Sequence, residues 1–443
     1  MTKLPLLLSV SALLGTLLTS CDKKESQSAT EHAKNGGSLE TIQEAVTLTV
    51  FAPGKTVEAF NAQLVEPLKK KFPSVTLERV EVPQGPIEAI KTFSTSGNVP
   101  DLIFGLPGWI GQWKMYNVFA DMTPLIQKYD FKLDKLQPNV VKSMKAYSYE
   151  GQMNIMPISI NGQVLYYNKD LFDKLGVAYP KDGMTWDDTR KIVAAMTHNE
   201  GGIQYRGFDA NLNYSINNNQ RSLSLVDAKT NKASIYKDGW IEWLNTIKSV
   251  YDVTGNIPAQ KNQLANNNPF LKGEVAMFAN ITDMMTNVLI HPDKAAFHWD
   301  LVTLPSFKDK PGQGVQLNTP FGSISSTTKH ADASFKVLAY LVSEEMQLNT
   351  SREGTIPVIQ SDAVKQEFGK NIPLLADKNI AALFKMAAAD TRSPLTQYDN
   401  IVVGVLTDKF AESLVQNKDI NTMLREAEEL ANKQVEANLT PSS

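Results

Sequence analysis

At 443 residues the chain is longer than one core usually holds, so two or three compact units are expected. Its 42% apolar and 21% charged residues are ordinary for a soluble globular protein. The formal charge of −3 supplies no broad basic field, which argues against nucleic acid as a partner.

At the N-terminus Lys3 precedes an apolar, leucine-rich run from Leu4 to Leu18, too short to read as a spanning helix. The run ends in Leu18-Thr19-Ser20-Cys21, and Cys21 is the only cysteine, so an internal disulfide is ruled out. A plain secretory signal with a chance cysteine fits this pattern. The pattern also resembles the lipobox of bacterial lipoproteins. That resemblance makes residues 1–21 a signal peptide, Cys21 the lipidated residue, and the location extracytoplasmic, on the cell membrane. Acyl chains anchor at about 0.8 kcal/mol per buried CH₂, so two or three hold firmly. Residues 22–44 are polar and mixed in charge, with almost nothing apolar before Leu39. Such a stretch buries too little surface to order itself and reads as a flexible tether.

The globule is expected to begin near Val46. Val46 to Phe51 alternates as a strand. Val57, Phe60, Leu64, Leu68 and Phe72 keep helical spacing, and Pro73 ends that helix. Val75 to Val82 is a second alternating strand, and Pro86 to Ser94 a short helix. Asp101 to Phe104 is a short apolar run suited to a buried parallel strand. Strand, helix, strand, helix, strand predicts an α/β sheet with parallel strands. Ligands of open sheets lie beyond the strands' carboxyl ends, which here are Pro53–Thr56, Pro83–Gly85 and Gly105–Trp113.

Gly151 to Phe172 follows. Tyr149, Met153, Ile155 and Ile158 recur around Gly151 like a strand pair, and Pro157 interrupts the ladder. Ile160, Val164, Leu165 and Tyr167 make a second extended run. Asn168 is the expected cap of a helix that starts at Lys169. Two readings stay open for this stretch: a hairpin within one unit, or a chain passing between two packed bodies. Further on, Thr185–Thr197 and Gly239–Tyr251 read as helices, Val275–Phe278 as a short buried strand, and Ile420–Ala437 as a helix rich in Glu and Ala.

The blocks PDLIFG (100–105), FADMTPLI (119–126), YEGQMNIMPISINGQVLYYNKDLFDKLG (149–176), TWDD (185–188), PFLKGEVAMFANI (269–281) and SSTTKHADASFKVLAYLVSEEMQ (325–347) occur in an informative order. Together, behind a lipobox, they resemble the family 1 extracellular solute-binding proteins. These are the lipoprotein receptors of bacterial ABC importers, similar to maltose-binding protein. The resemblance covers about residues 46–440. It implies an α/β, two-lobed periplasmic-binding-protein-like fold of type II, with lobes joined by crossover strands and a ligand cleft between them. Residues 45–158 plus 318–356 would form the N-terminal lobe, and 159–317 plus 357–443 the C-terminal lobe. Crossovers fall at the Gly151–Phe172 stretch, between Leu304 and Ser323, and near Gly354–Val358.

Several residues follow as candidate ligand contacts. Lys55 stands at a strand's carboxyl end, suited to sugar hydroxyls or an acidic group, or simply to solvent. Trp109 and Trp113 are four apart, hence on one helix face. An aromatic ring packs on the C–H face of a sugar, so Trp109 is a contact and Trp113 reads as core. Asn161 matches a family position that often faces the cleft. Tyr214 lies in the amide-rich stretch 211–219, which also reads as a plain turn. Asn280 and Asp283 follow a strand after which the family carries ligand contacts. The family commonly has Gly and Trp there, and this chain has Asn280-Ile-Thr-Asp-Met-Met285. Phe321 in the second crossover and Tyr398 in the C-terminal segment complete the set.

No catalytic or metal site is expected. His32, His198, His291, His298 and His330 form no recognised zinc spacing. Neither G-x-S-x-G nor a phosphate loop occurs. Paired carboxylates as in glycosidases stay open. No cofactor is expected. The function expected is a monomeric, surface-anchored receptor of an ABC importer, which captures a carbohydrate and delivers it to the permease by lobe closure. The alternatives are a receptor for a non-sugar solute, a lipid-anchored carbohydrate-active enzyme, and a surface lipoprotein that binds no small molecule.

Overall fold

The computed structural model describes residues 38–439 except 393. The expected signal peptide, Cys21 and most of the expected tether lie outside the described residues. The strands in chain order are β1 (Val46–Phe51), β2 (Val75–Arg79), β3 (Leu102–Gly105), β4 (Met156–Pro157), β5 (Gln163–Asn168), β6 (His198–Glu200), β7 (Ile203–Ala210), β8 (Val226–Asp227), β9 (Lys232–Ala233), β10 (Val275–Ile281), β11 (Trp299–Thr303), β12 (Gln313–Gln316), β13 (Phe321–Ile324) and β14 (Ala387–Ala389). Two five-stranded sheets result, in the orders β2-β1-β3-β13-β4 and β11-β5-β10-β7-β6.

The first sheet is parallel through β2, β1 and β3, and β13 runs antiparallel to β3 and to β4. Leu48, Val50, Leu102 and Ile103 are fully buried, as parallel strands covered on both faces require. The apolar stripe from Val57 to Lys71 forms one helical segment with a π-turn at Asn61–Val65. Gly105 has a packing reason. A Cβ there would stand 2.5 Å from the Trp113 ring, so only glycine lets that ring cover the strand end.

In the second sheet β10 runs parallel to β7 and antiparallel to β5, and β11 is antiparallel to β5. Side chains of β5 alternate: Val164 and Tyr166 join one apolar cluster, Leu165 and Tyr167 the other. The helix Trp186–Met196 is closed by a capping box between Thr185 and Asp188. The helix Asp238–Tyr251 buries Trp240, Trp243, Leu244 and Ile247.

Three extended segments join the lobes side by side. Ile158 N donates to Pro320 O, Asn161 and Asn318 exchange backbone hydrogen bonds, and Ile160 bridges Ile356. Of the two readings of Gly151–Phe172, the chain passing between two bodies is the one observed. Its first half is not a hairpin, since only Met156–Pro157 is strand and Pro157 cannot extend the ladder.

Two expected boundaries need correction. Residues 38–44, expected in the tether, are docked: Leu39 and Ile42 pack on the core, Ser74 Oγ donates to Ile42 O, and Lys336 Nζ donates to Thr41 O at 2.8 Å. Two apolar side chains and two captured carbonyls are enough to order so short a segment. Residues 357–360, expected on the C-terminal lobe, stay with the first. Gln137 N donates to Val358 O, and Gln360 Nε2 donates to Asp134 O and Leu136 O. Firm hydrogen bonds to the second lobe begin at Asn379, whose N donates to Asp300 Oδ1 at 2.8 Å.

Candidate functional site: the interlobe cleft

The sheet registers aim the strand ends. β1, β2 and β3 run parallel, so Phe51, Arg79 and Gly105 end on one edge, where antiparallel β13 begins and β4 leaves for the crossover. In the second sheet Gln163, the start of β5, pairs with Ile281, the end of β10, and Val164 pairs with Thr303, the end of β11. The carboxyl ends of β7, β10 and β11 therefore also face the crossover. Both lobes turn their strand-end loops toward one cleft, the position where open α/β sheets hold ligands.

Asn161, Tyr214 and Asp283 meet at the crossover. Tyr214 is buried, and its hydroxyl donates to Asn161 O at 3.0 Å. It pins the crossover to the second lobe and has little surface left for a solute, contrary to its expected role as an open contact. Asn161 is half-buried, and its amide side chain makes no hydrogen bond among the described residues. Asp283 follows the end of β10. Its side chain is partly buried, with no hydrogen bond or ion pair among the described residues, and burial pushes its carboxyl above the usual aspartate range. Burial and then the Asp283 charge push the Tyr166 and Tyr214 hydroxyls well up. An uncompensated carboxylate in a cleft is a strong acceptor for donors that a solute brings.

On the facing lobe, Pro107 starts a helix that runs to Trp113. Trp113 is fully buried against Phe51, Phe119 and Phe321, and its indole N–H donates to Pro86 O. Trp109 rests on it with ring centroids 5.4 Å apart and stays half-exposed. Leu106, at the end of β3, is 40% exposed. The sequence reading missed it, although an apolar residue between Gly105 and Pro107 at a strand end was a usable signal. Lys55 lies at the end of β1, but its ammonium is donated to Gln63 Oε1 and burial lowers its pKa. It folds back on its own lobe.

Two expected contacts are core residues instead. Phe321 has no exposed surface and makes edge contacts with the rings of Trp113 and Phe119. Tyr398 is 3% exposed within the second lobe's apolar cluster. Asn280 is buried and spends its amide locally: Oδ1 accepts from Asn211 Nδ2 at 2.9 Å, and Nδ2 approaches the Met284 sulfur.

The lobes also touch directly. Asn400 Nδ2 donates to Gly108 O at 2.6 Å, and the Ser143 and Thr391 hydroxyls are 2.8 Å apart. Between these contacts a cavity of about 20 Å³ remains, lined by Tyr147, Asn217, Gln316 and Arg392 among others. That is room for about one water, so a larger solute requires the lobes to part. Arg392 is buried there, donating to Asn217 O and Oδ1 and lying 3.6 Å from Asp399.

Such a site defines a class: a two-lobed solute receptor of the type II periplasmic-binding-protein-like fold. Residues 63–375 match the family described as "Bacterial extracellular solute-binding protein", and the chain belongs to it. The multiple sugar-binding protein of Streptococcus mutans is 24% identical over 355 residues, covering 76% of this chain and 77% of its own. A sugar transporter from Rhizobium etli, solved in an open conformation, superposes with a TM-score of 0.72 at 18% identity, over 89% of this chain and 100% of its own. An ABC substrate-binding protein from Listeria monocytogenes, solved with cycloalternan, superposes with a TM-score of 0.64 at 19% identity, over 89% and 99%. The two structures share the fold.

Proposed function

We propose that the protein is the substrate-binding component of an ABC importer, capturing an oligosaccharide in the interlobe cleft. What supports this reading is the convergence of both lobes' strand ends at the crossover; on it, Trp109 stands on one wall and the unpaired Asp283 on the other. A sugar offers a C–H face to the indole and hydroxyl donors to the carboxylate. The sugar-binding relative from S. mutans supports the same ligand class. Closure around the solute selects the form that docks on the permease, with no chemical step. Lipidation of Cys21 holds the monomeric receptor at the outer face of the membrane; mass spectrometry of native membranes that finds Cys21 unmodified removes this part.

A thermal-shift screen of the chain lacking residues 1–21 tests the ligand class. A ligand at 100 times its Kd adds about 2.7 kcal/mol. Stabilisation by an oligosaccharide, and not by its isomers, is the expected result. Turnover of chromogenic glycosides would instead point to an enzyme. One observation favours a second reading: among the described residues Asp283 forms no ion pair with a cation. A hit from polyamines or another cationic solute, with silence from every sugar, would replace the substrate and keep the receptor.

A further inference from the structure

On the first crossover the second lobe holds residues 161 and 162. The Tyr214 hydroxyl donates to Asn161 O, Gly162 N donates to Thr282 Oγ1 at 3.1 Å, and Thr282 N donates back to Gly162 O at 3.1 Å. The first lobe holds Ile158, whose carbonyl accepts from Gln347 Nε2 at 3.0 Å. Between the two grips lie Ser159 and Ile160. Rigid-body closure is absorbed by a few residues of this kind.

Gln347 lies on the buried face of the helix Glu344–Arg352 and is 1% exposed. Ser343 caps that helix, which fixes its first turn. The same amide reaches three segments. Besides Ile158 O, Nε2 donates to Leu341 O at 2.9 Å, at the end of the helix Ala331–Leu341. Its Oε1 accepts from Val358 N, on the third crossover, at 2.7 Å. An amide suits the place because two carbonyls and one N–H must be met at once. Turned over, it would set its oxygen against both carbonyls and its NH₂ against the N–H, so a single orientation satisfies all three.

The third crossover is stiff up to this point. The Pro357 ring fixes its own φ, and Pro357 O accepts from Gln137 Nε2 at 2.7 Å. The first and third crossovers are also tied to each other, Ile160 N donating to Ile356 O at 3.1 Å. They therefore leave the first lobe from one origin and bend together.

We propose that Gln347 is the positioning residue of the hinge: its buried amide holds the first and third crossovers in one register on the first lobe, so that the bend of lobe closure falls at Ser159 and Ile160. The inference rests on the closure part of the receptor reading. Its test is hydrogen exchange read by mass spectrometry, on the chain lacking residues 1–21, for the wild type, Gln347→Met, Gln347→Glu and Ser351→Ala. Methionine has a similar length and makes none of the three bonds. Ser351 is the control: it is buried on the same helix, and its hydroxyl donates to Val364 O at 2.9 Å, away from both crossovers. Gln347→Met should speed exchange about tenfold or more in peptides spanning 156–162 and 354–360, and leave the other first-lobe peptides protected. Gln347→Glu keeps the acceptor for Val358 N and removes both N–H donors, so it should free the first crossover more than the third. Ser351→Ala should leave both crossovers as in the wild type.

Nitroxide labels at Lys69→Cys and Lys229→Cys, exposed positions on opposite lobes, read the motion itself in this chain free of Cys21. The distance distribution between them should widen in Gln347→Met and not in Ser351→Ala. Crossover exchange equal to the wild type, or a rise spread evenly over the first lobe, would overturn the hinge role. So would faster crossover exchange with an unchanged distance distribution. A wild type that maltohexaose stabilises against heat without shifting the interlobe distance would overturn closure itself, and the hinge role with it.

Discussion

Gly111 sits where the helix Pro107–Trp113 meets the second lobe. A Cβ there would stand 2.2 Å from Thr396 O and 2.6 Å from the Thr396 carbonyl carbon. Ordinary van der Waals contact begins at 3.4 Å, so Gly111→Ala forces a retreat of about 1.2 Å. The obstacle is backbone on both sides, and no side-chain rotation relieves it. The retreat breaks the Asn400–Gly108 hydrogen bond and loosens the Ser143–Thr391 pair. Overpacking costs about 1–3 kcal/mol, and each lost hydrogen bond about 0.5–1.5 kcal/mol. The closed form therefore loses about 2–4 kcal/mol. If closure is what retains the solute, apparent affinity falls roughly 30- to 1,000-fold. Calorimetry with a ligand found by thermal shift measures the loss, and small-angle X-ray scattering measures the compaction that accompanies binding. Each lobe keeps its core, so the melting temperature should change little. A Gly111→Ala protein that compacts and binds like the wild type would refute the reasoning.

The two stacked tryptophans should separate function from stability. Trp113→Ala should cost about 3–5 kcal/mol in chemical denaturation, as deletion of a buried aromatic does, while Trp109→Ala leaves folding nearly intact and weakens binding. Tyr214→Phe removes the hydroxyl that holds Asn161 O and should destabilise by about 1 kcal/mol in the same assay; no change would mean that the crossover is held elsewhere. Asp283→Asn gives the pH test. The folded pKa of Asp283 is raised, so its contribution favours folding below the unfolded value and is lost as pH rises through the folded one. At pH 7 Asp283→Asn should melt higher than the wild type, by the equivalent of about 1 kcal/mol, and this advantage should vanish as pH falls toward 4. An equal gain at pH 4 and pH 7 would show that the carboxylate's charge is not the cause. The same variant should bind the solute more weakly.

Much of the fold was legible because its signals are local. Alternation named β1, the 3.6-residue stripe named the helix after it, and Thr185 was read as the start of a helix that a capping box with Asp188 opens. Asn168 caps the helix Lys169–Leu175 for the same reason, since its side chain reaches an N–H three residues on. The strand pairing around Gly151, one of two readings left open, does not form, because strand pairing is a long-range choice. Met156 and Pro157 pair with β13, far along the chain, and not with Tyr149.

The candidate site was legible in its loops and not in its side chains. Strand order and the family resemblance put Trp109 after β3, Asn161 at the crossover and Asp283 after β10. Which of them faces the cleft depends on what already occupies the inside. Phe321 and Tyr398 looked like free aromatics, and neighbouring rings and helices enclose both.

By itself the sequence determined the two-lobed α/β fold and the family, since hydrophobic period, caps and block order are properties of neighbouring residues. The tertiary structure alone decided which side chains the cleft retains. Burial, charge compensation and the approach of Gly111 to Thr396 arise between segments hundreds of residues apart, where no local pattern reaches.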